Sequence, residues 1–149
     1  MGEKTTAQIN ALEKQHGQNT IEKKEVTVIN TLKIPLRTPS TSNLREHWTK
    51  TFNRNKIAKD IITKHWLHAR MPIFHPPCTI TLTRVSPRPL DYDNLTAALK
   101  YIRDVIADII IPGLASGQAD NPSHGLTFAY SQKKGIPKEY ALEIQIEHG

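Results

Sequence analysis

The order in which hydrophobic periodicities follow one another constrains the fold of this chain more than any other feature. Alternation of apolar and polar residues, which is typical of half-buried strands, occurs in four segments, 26–36, 78–82, 126–130 and 140–146. Helical spacing of apolar residues occurs in two longer segments, from Leu44 to about Ala69 and from about Asp93 to Ile110. The chain therefore alternates strand and helix twice before it ends in two strands.

This order predicts an α+β fold. Four strands with one apolar face, and two helices to cover that face, make a two-layer sandwich: a four-stranded mixed sheet with both helices on one side, in the order β-α-β-α-β-β. The last two strands flank Lys133-Lys134-Gly135, which favours an antiparallel hairpin. In the first helix we expect core contacts from the large apolar residues Trp48, Phe52, Ile57, Ile61, Ile62 and Trp66.

The composition divides the chain into an arm and one domain. Residues 1–24 are polar and poor in large apolar side chains, which predicts a flexible N-terminal arm, and residues 25–149 are long enough for one domain with its own core. The single cysteine, Cys78, excludes an internal disulfide and a cysteine-based zinc site, which suits a reducing cytoplasm. No apolar run is long enough to predict a membrane span.

Positive charge is concentrated in the first helical segment. The chain carries a formal net charge of +6, and residues 41–70 hold seven Lys or Arg against two acids, a net of +5. Such a segment predicts a polyanionic partner, and nucleic acid is the first candidate. We expect phosphate contacts from basic residues of this helix and of two other sites, namely Arg45, Lys50, Arg54, Lys56, Arg88, Lys133 and Lys134.

The most informative motif lies where the second strand gives way to the second helix. There Asp91 and Asp93 stand two residues apart, and in extended backbone such residues point to the same side. Two carboxylates held this close repel unless a cation lies between them, and Mg²⁺ prefers such oxygen ligands. The motif alone leaves a second interpretation open, in which Asp93 caps the helix and Asp91 is an exposed turn residue.

The stretch Asp91-Tyr92-Asp93-Asn94-Leu95, followed by Lys100, Arg103 and Asp104 in the helix, resembles the Asp-x-Asp-Asn-Leu motif of the RusA family of Holliday junction resolvases. The phage-type branch is the most similar. The segment 43–48 and the segment 130–135 also resemble that branch, so the likeness covers about residues 26–147.

The resemblance implies a set of site residues. Asp91 and Asp93 would bind Mg²⁺, with Mn²⁺ as a substitute, and a third aspartate should follow the second helix, where Asp120 stands. Asp120 is placed by order along the chain rather than by spacing, and Asp108 and Asp104 are the alternatives. The well-known members carry a lysine four residues after the second aspartate; Ala97 stands there in this chain, and Lys100 lies one turn further on the same helix face.

The resemblance also implies a function. We expect a catalytic set of Asp91, Asp93, Asp120 and Lys100 that hydrolyses phosphodiesters of four-way junctions or other branched DNA, in a homodimer that makes two opposed cuts. Such a protein would act in the cytoplasm of a bacterial cell, encoded by the bacterium or by a phage. The main alternative is a non-catalytic DNA-binding phage module on a nuclease-like fold, and a third interpretation is a nuclease for flapped DNA.

Overall fold

The computed structural model describes residues 28–40, 48–114 and 118–148. It contains four strands and two helices: β1 (Val28–Ile34), α1 (Trp48–His68), β2 (Cys78–Ser86), α2 (Tyr92–Ile110), β3 (Leu126–Lys134) and β4 (Ala141–His148), with a 3₁₀ turn at Pro122–His124. The expected α+β fold with a four-stranded mixed sheet is confirmed. The predicted arm (1–24) and the start of the first helix before Trp48, including Arg45, lie outside the described residues.

The sheet order is β1-β4-β2-β3. Strand β4 lies between β1 and β2 and is antiparallel to both. Ile144 of β4 is opposite Leu32 of β1 on one side and opposite Leu82 of β2 on the other. Strand β3 is parallel to β2, with Cys78 opposite Leu126. A parallel pair needs a crossover connection, and α2 supplies it.

The expected hairpin of β3 and β4 is wrong, because β2 lies between these two strands. The connection from Lys134 to Ala141 crosses the end of β2 instead of folding back on β3. The Gly135 amide donates a hydrogen bond to the Ser86 carbonyl at 2.9 Å, which fixes this crossing at the last residue of β2. The buried Val85 pairs with the buried Ala141 at the same end.

Both helices pack on one face of the sheet in a single hydrophobic cluster. Alternate strand residues such as Ile34, Ile80 and Ile144 point into this cluster and are fully buried. The apolar stripe of α2 meets them through Leu99, Ile106 and neighbouring residues. The opposite face of the sheet carries Thr79, Thr81 and Thr83 together with polar residues of β4, and all of these are partly exposed.

The first helix contributes less to the core than its sequence predicts. Ile62 and Trp66 are buried and Ile61 packs against the cluster, but Trp48, Phe52 and Ile57 are 72%, 59% and 59% exposed. The two buried residues lie in the C-terminal half of the helix, whereas in its N-terminal half the partly buried Thr51 and Asn55 line a cavity instead of joining the core. The expected core role of Trp48, Phe52 and Ile57 is therefore wrong.

Candidate metal centre and nucleic-acid interface

Asp91 is the N-cap of α2. Its backbone is extended, with φ −70° and ψ 168°, and its carboxylate accepts a 2.9 Å hydrogen bond from the Asn94 backbone N–H and a 3.3 Å bond from the Asn94 side-chain amide. Asp93 lies in the first helical turn, and its carboxylate is exposed. The capping residue is thus Asp91 rather than Asp93, and both carboxylates lie at the N-terminal, positive end of the helix dipole.

The segment that leads into Asp91 is held from two sides by residues that sequence reasoning missed. Arg84 is only 6% exposed; its Nε donates to the Thr38 carbonyl at 2.8 Å and one terminal nitrogen donates to the Arg88 carbonyl at 2.9 Å. The Gln132 side chain forms two hydrogen bonds with the Leu90 backbone, accepting from its N–H at 2.9 Å and donating to its carbonyl at 2.6 Å. These bonds fix the strand-to-helix turn and therefore the position of Asp91.

One signal in the sequence could have identified Arg84. It stands at an inward position of β2, in register with Ile80 and Leu82, where a charged residue is unusual. Nothing in the local pattern distinguishes Gln132, because its role depends on the pairing of β3 with β2.

Asp120 belongs to a second group of carboxylates near the last third of α2. Its Oδ2 forms a 2.9 Å ion pair with Arg103, which also donates a 2.9 Å hydrogen bond to the Tyr130 hydroxyl. Burial raises the pKa of Asp104, Lys100 opposes that shift, and the neighbouring Asp120 carboxylate adds to it. Burial also raises the pKa of Asp108, again with a contribution from Asp120.

The two carboxylate groups are well separated along the helix. Asp104 follows Asp91 by thirteen residues, which corresponds to about 20 Å of helix. Asp120 therefore lies beside Asp104 and Asp108, the two alternatives for the third ligand, and not beside Asp91. Among the described residues there is no group of three His, Cys, Asp or Glu side chains that could hold a metal ion. The set of Asp91, Asp93 and Asp120 remains a prediction.

Two carboxylates are nevertheless a sufficient donor set for one kind of Mg²⁺ site. Mg²⁺ is commonly bound by one or two carboxylates together with waters and substrate phosphate oxygens. Asp91 and Asp93 are exposed, and among the described residues each oxygen of the Asp91 carboxylate accepts a hydrogen bond from Asn94, which leaves further lone pairs for a cation. The pair fits a site that is completed by DNA.

Lys100 lies on the same face of α2 as Asp93, two turns further along. Its side chain is largely exposed and forms a 3.6 Å ion pair with Asp104. The helical rise from Asp93 to Lys100 is about 10 Å. Lys100 thus stands between the two carboxylate groups and, in this arrangement, contacts the second one.

The predicted phosphate-binding residues are spread over several surfaces. Lys50 and Arg54 stand one turn apart on one face of α1, whereas Lys56 is rotated by about 200° from Arg54 around the helix axis. Arg88 and Lys134 are exposed near the ends of their strands. Lys133 forms a 2.9 Å ion pair with Glu143 on the open face of the sheet. Among the described ones, the structure thus brings Lys50 and Arg54 together on α1, and it brings Arg88, Lys133 and Lys134 to the shared end of the parallel strands β2 and β3.

The comparisons with known proteins assign no family. No protein-family model matches the chain, and no curated protein matches it in sequence. Within the described ranges, neither helix combines the length and the apolar content needed to cross a bilayer.

Proposed function

We propose that the chain is a Mg²⁺-dependent endonuclease that cuts Holliday junctions or related branched DNA, as its resemblance to RusA-type resolvases implies. The observation that carries this proposal is the pair Asp91 and Asp93, exposed at a strand-to-helix turn whose approach is fixed by Arg84 and Gln132. Two exposed carboxylates this close in the chain repel the phosphates of DNA unless a cation is bound between them. Their rigid support is typical of a site whose geometry matters.

Mg²⁺, or Mn²⁺ in its place, would activate water and act as a Lewis acid on the phosphoryl oxygens when bound. Asp91 and Asp93 hold the cation at the start of α2. Lys100 supplies positive charge on the same helix face, two turns away, where it offsets charge on the DNA strand. Lys50, Arg54 and the exposed Arg88 hold the phosphate backbone without reading sequence.

A homodimer is part of the proposal. A four-way junction has approximate two-fold symmetry, and one carboxylate pair per chain cannot cut two opposed strands in one encounter, so a two-fold dimer supplies the second site. The open sheet face with Thr79, Thr81 and Thr83 is the surface that such a partner would cover. Val85, which follows Thr83 on this face, is already buried within the chain. Action in the bacterial cytoplasm follows from the proposed substrate.

The second candidate is a non-catalytic DNA-binding module on a nuclease-like fold, of phage or bacterial origin. The specific observation that favours it is the 2.9 Å ion pair of Asp120 with Arg103, which keeps the expected third ligand away from Asp91. Such a module would bind branched DNA and would need neither carboxylate of the Asp91–Asp93 pair.

A cleavage assay on several DNA shapes separates these candidates. Four-way, flapped and linear duplexes of equal length are incubated with the full chain in Mg²⁺ or in EDTA, and the products are mapped on sequencing gels. The proposal predicts Mg²⁺-dependent cuts in the four-way junction, placed symmetrically in opposed strands. Binding of the junction without cuts in Mg²⁺ or Mn²⁺ establishes the DNA-binding module, and cuts confined to the flapped duplex establish the flap nuclease.

A further inference from the structure

A cavity of about 400 Å³ lies between α1, α2 and the segment that follows β1. Its polar lining consists mainly of Arg37, Thr38, Arg54, Lys100, Tyr101 and Asp104. A volume of this size is within the range of about 300–1,000 Å³ that is usual for small-molecule sites. The cavity is separate from the Asp91–Asp93 turn, and its lining joins the two helices.

The charges around the cavity favour an anion. Three cationic side chains and one carboxylate line it. The carboxylate, Asp104, is paired at 3.6 Å with one of these cations, Lys100, which leaves a net positive charge along the lining. Behind Thr38 lies the buried Arg84, which forms no ion pair with a described carboxylate. Burial lowers the pKa of Arg84, and the charge of Arg37 lowers it further, because two guanidinium groups share this corner.

Thr38 supplies an independent sign of a missing polar partner. The residue is 5% exposed, it lines the cavity, and its side-chain hydroxyl has no hydrogen-bond partner among the described residues. Native structures contain few buried hydroxyls without a partner. Rotation of this side chain about its Cα–Cβ bond would turn the hydroxyl towards the cavity, where a ligand with hydrogen-bonding oxygens or nitrogens would satisfy it.

The remaining walls suit a flat ring. Small side chains at Ala58, Ala97 and Ala98 leave the space open, and Leu36 and Ile102 provide apolar contact. Tyr101 is half-buried on the same wall and offers an aromatic surface for stacking. Apolar walls combined with cations at the rim match a base attached to a phosphate.

The cavity also has a defined position relative to the proposed metal centre. Ala97 and Lys100 follow Asp93 at one and two turns on the same helix face, and the rise from Asp93 to Ala97 is about 6 Å. This rise is larger than the roughly 3.4 Å that one nucleotide of a duplex strand covers along the helix axis, and an extended, unpaired nucleotide spans more than this duplex spacing. A strand with one phosphate at Asp91 and Asp93 therefore brings its next nucleotide to the mouth of the cavity.

We propose that this cavity binds a single unpaired nucleotide, with its base against Tyr101 and the alanines and its phosphate against Arg37 and Lys100. The proposal that this nucleotide belongs to the DNA strand held at Asp91 and Asp93 rests on the proposed nuclease function. The proposal that the cavity binds a nucleotide does not depend on that function. An unpaired nucleotide is available at the branch point of a junction or flap and is absent from intact duplex.

The test measures binding without metal. Isothermal titration of the full chain in EDTA is carried out with deoxyadenosine 5′-monophosphate, deoxyadenosine and inorganic phosphate. Ala97→Leu, at an exposed helical position, narrows the cavity, and Lys100→Gln removes one rim charge. The matched controls are Ala69→Leu, at an exposed position just after the end of α1, and Lys64→Gln, and both positions are remote from the cavity lining. Circular dichroism and thermal unfolding establish that all four variants fold.

We expect the monophosphate to bind more tightly than the nucleoside or phosphate. Lys100→Gln should weaken it by roughly tenfold, since a hydrogen bond to a charged group contributes on that scale. Ala97→Leu should also weaken it, because the larger side chain occupies space that the base needs, and both controls should match wild type. No binding of the monophosphate, binding no tighter than that of phosphate, or variants equal to their controls would each overturn the inference. Cleavage of junctions is measured in parallel: cutting without nucleotide binding refutes the cavity alone, and nucleotide binding without cutting refutes the nuclease alone.

Discussion

Asp91 has two roles in this account, and substitution can separate them. Its carboxylate caps α2 through the Asn94 amide and also belongs to the proposed metal centre. Asparagine is as good an N-cap as aspartate but is a poor ligand for Mg²⁺, whereas alanine supplies neither function. Asp91→Asn and Asp91→Ala should therefore be equally inactive and differ in stability.

The size of that difference follows from the capping bond. Replacement of an N-cap aspartate by alanine costs about 0.5–2 kcal/mol, typically about 1 kcal/mol. The 2.9 Å bond to Asn94 is well formed, so we expect a typical cost. For a chain of this length a loss of 1 kcal/mol lowers Tm by roughly 2–4 °C. Asp91→Asn should unfold within about 1 °C of wild type, since it keeps a capping oxygen.

The assay combines thermal and urea unfolding with cleavage of a four-way junction. Mg²⁺ should raise the Tm of the wild type in the presence of a junction strand and leave the Tm of Asp91→Asn unchanged, because a ligand stabilises only the chain that binds it. Cleavage by Asp91→Asn at near wild-type rates would refute the metal role. An Asp91→Ala variant as stable as wild type would refute the capping argument.

Three further predictions concern the surface, the second carboxylate group and the assembly. Lys50→Ala and Arg54→Ala should each weaken binding to all DNA shapes and reduce the slope of log binding constant against log salt concentration by about 0.9. Lys133→Ala should change this slope less, because Lys133 is paired with Glu143. Equal slopes for all three variants in a binding titration would contradict this prediction. Burial raises the pKa of Asp104 in the folded state, so this residue contributes to stability below the unfolded value of about 3.9, and the contribution is lost as the pH rises through the folded value. Asp104→Asn should therefore unfold at a higher urea concentration than wild type at pH 7, and the difference should vanish towards pH 4. An equal difference at both pH values in urea titrations would be inconsistent with the raised pKa. Sedimentation at micromolar concentration should give twice the chain mass with a bound junction, and a single-chain mass with and without the junction would exclude the dimer.

The sequence was sufficient for the elements that local periodicity specifies. The stripe of α2 predicted its buried face and its end before Pro112, because each apolar residue of the stripe packs on the same sheet. The alternation of Cys78, Ile80 and Leu82 with threonines predicted the two faces of β2. In α1 the same reasoning failed for Trp48, Phe52 and Ile57, because the spacing of apolar residues does not show which of them, along a long helix, meet the core.

Strand pairing and the support of the site were beyond local pattern. A six-residue connection is compatible with a hairpin of β3 and β4 or with a crossing over the end of β2. The choice depends on which strands pair with β2, and here β3 and β4 pair with its two edges. The Asp91–Asp93 pair was evident from spacing, but its fixation by Arg84 and Gln132 depends on contacts across 42 or more residues of sequence. Asp120 was assigned by order, and its ion pair with Arg103 could not be foreseen from that order.

The central claim is that Asp91 and Asp93 bind the metal that cuts branched DNA. Single-turnover cleavage of a four-way junction in Mg²⁺ tests it directly, with Asp93→Asn as the probe. The control is Asp60→Asn, which removes the same charge from the exposed surface of α1. We predict symmetrical cuts by wild type and by Asp60→Asn, no cuts by Asp93→Asn, and equal or tighter junction binding by Asp93→Asn because a negative charge near DNA is removed. Cuts by Asp93→Asn at the wild-type rate, or no cuts by a wild-type protein that binds the junction, would contradict the claim.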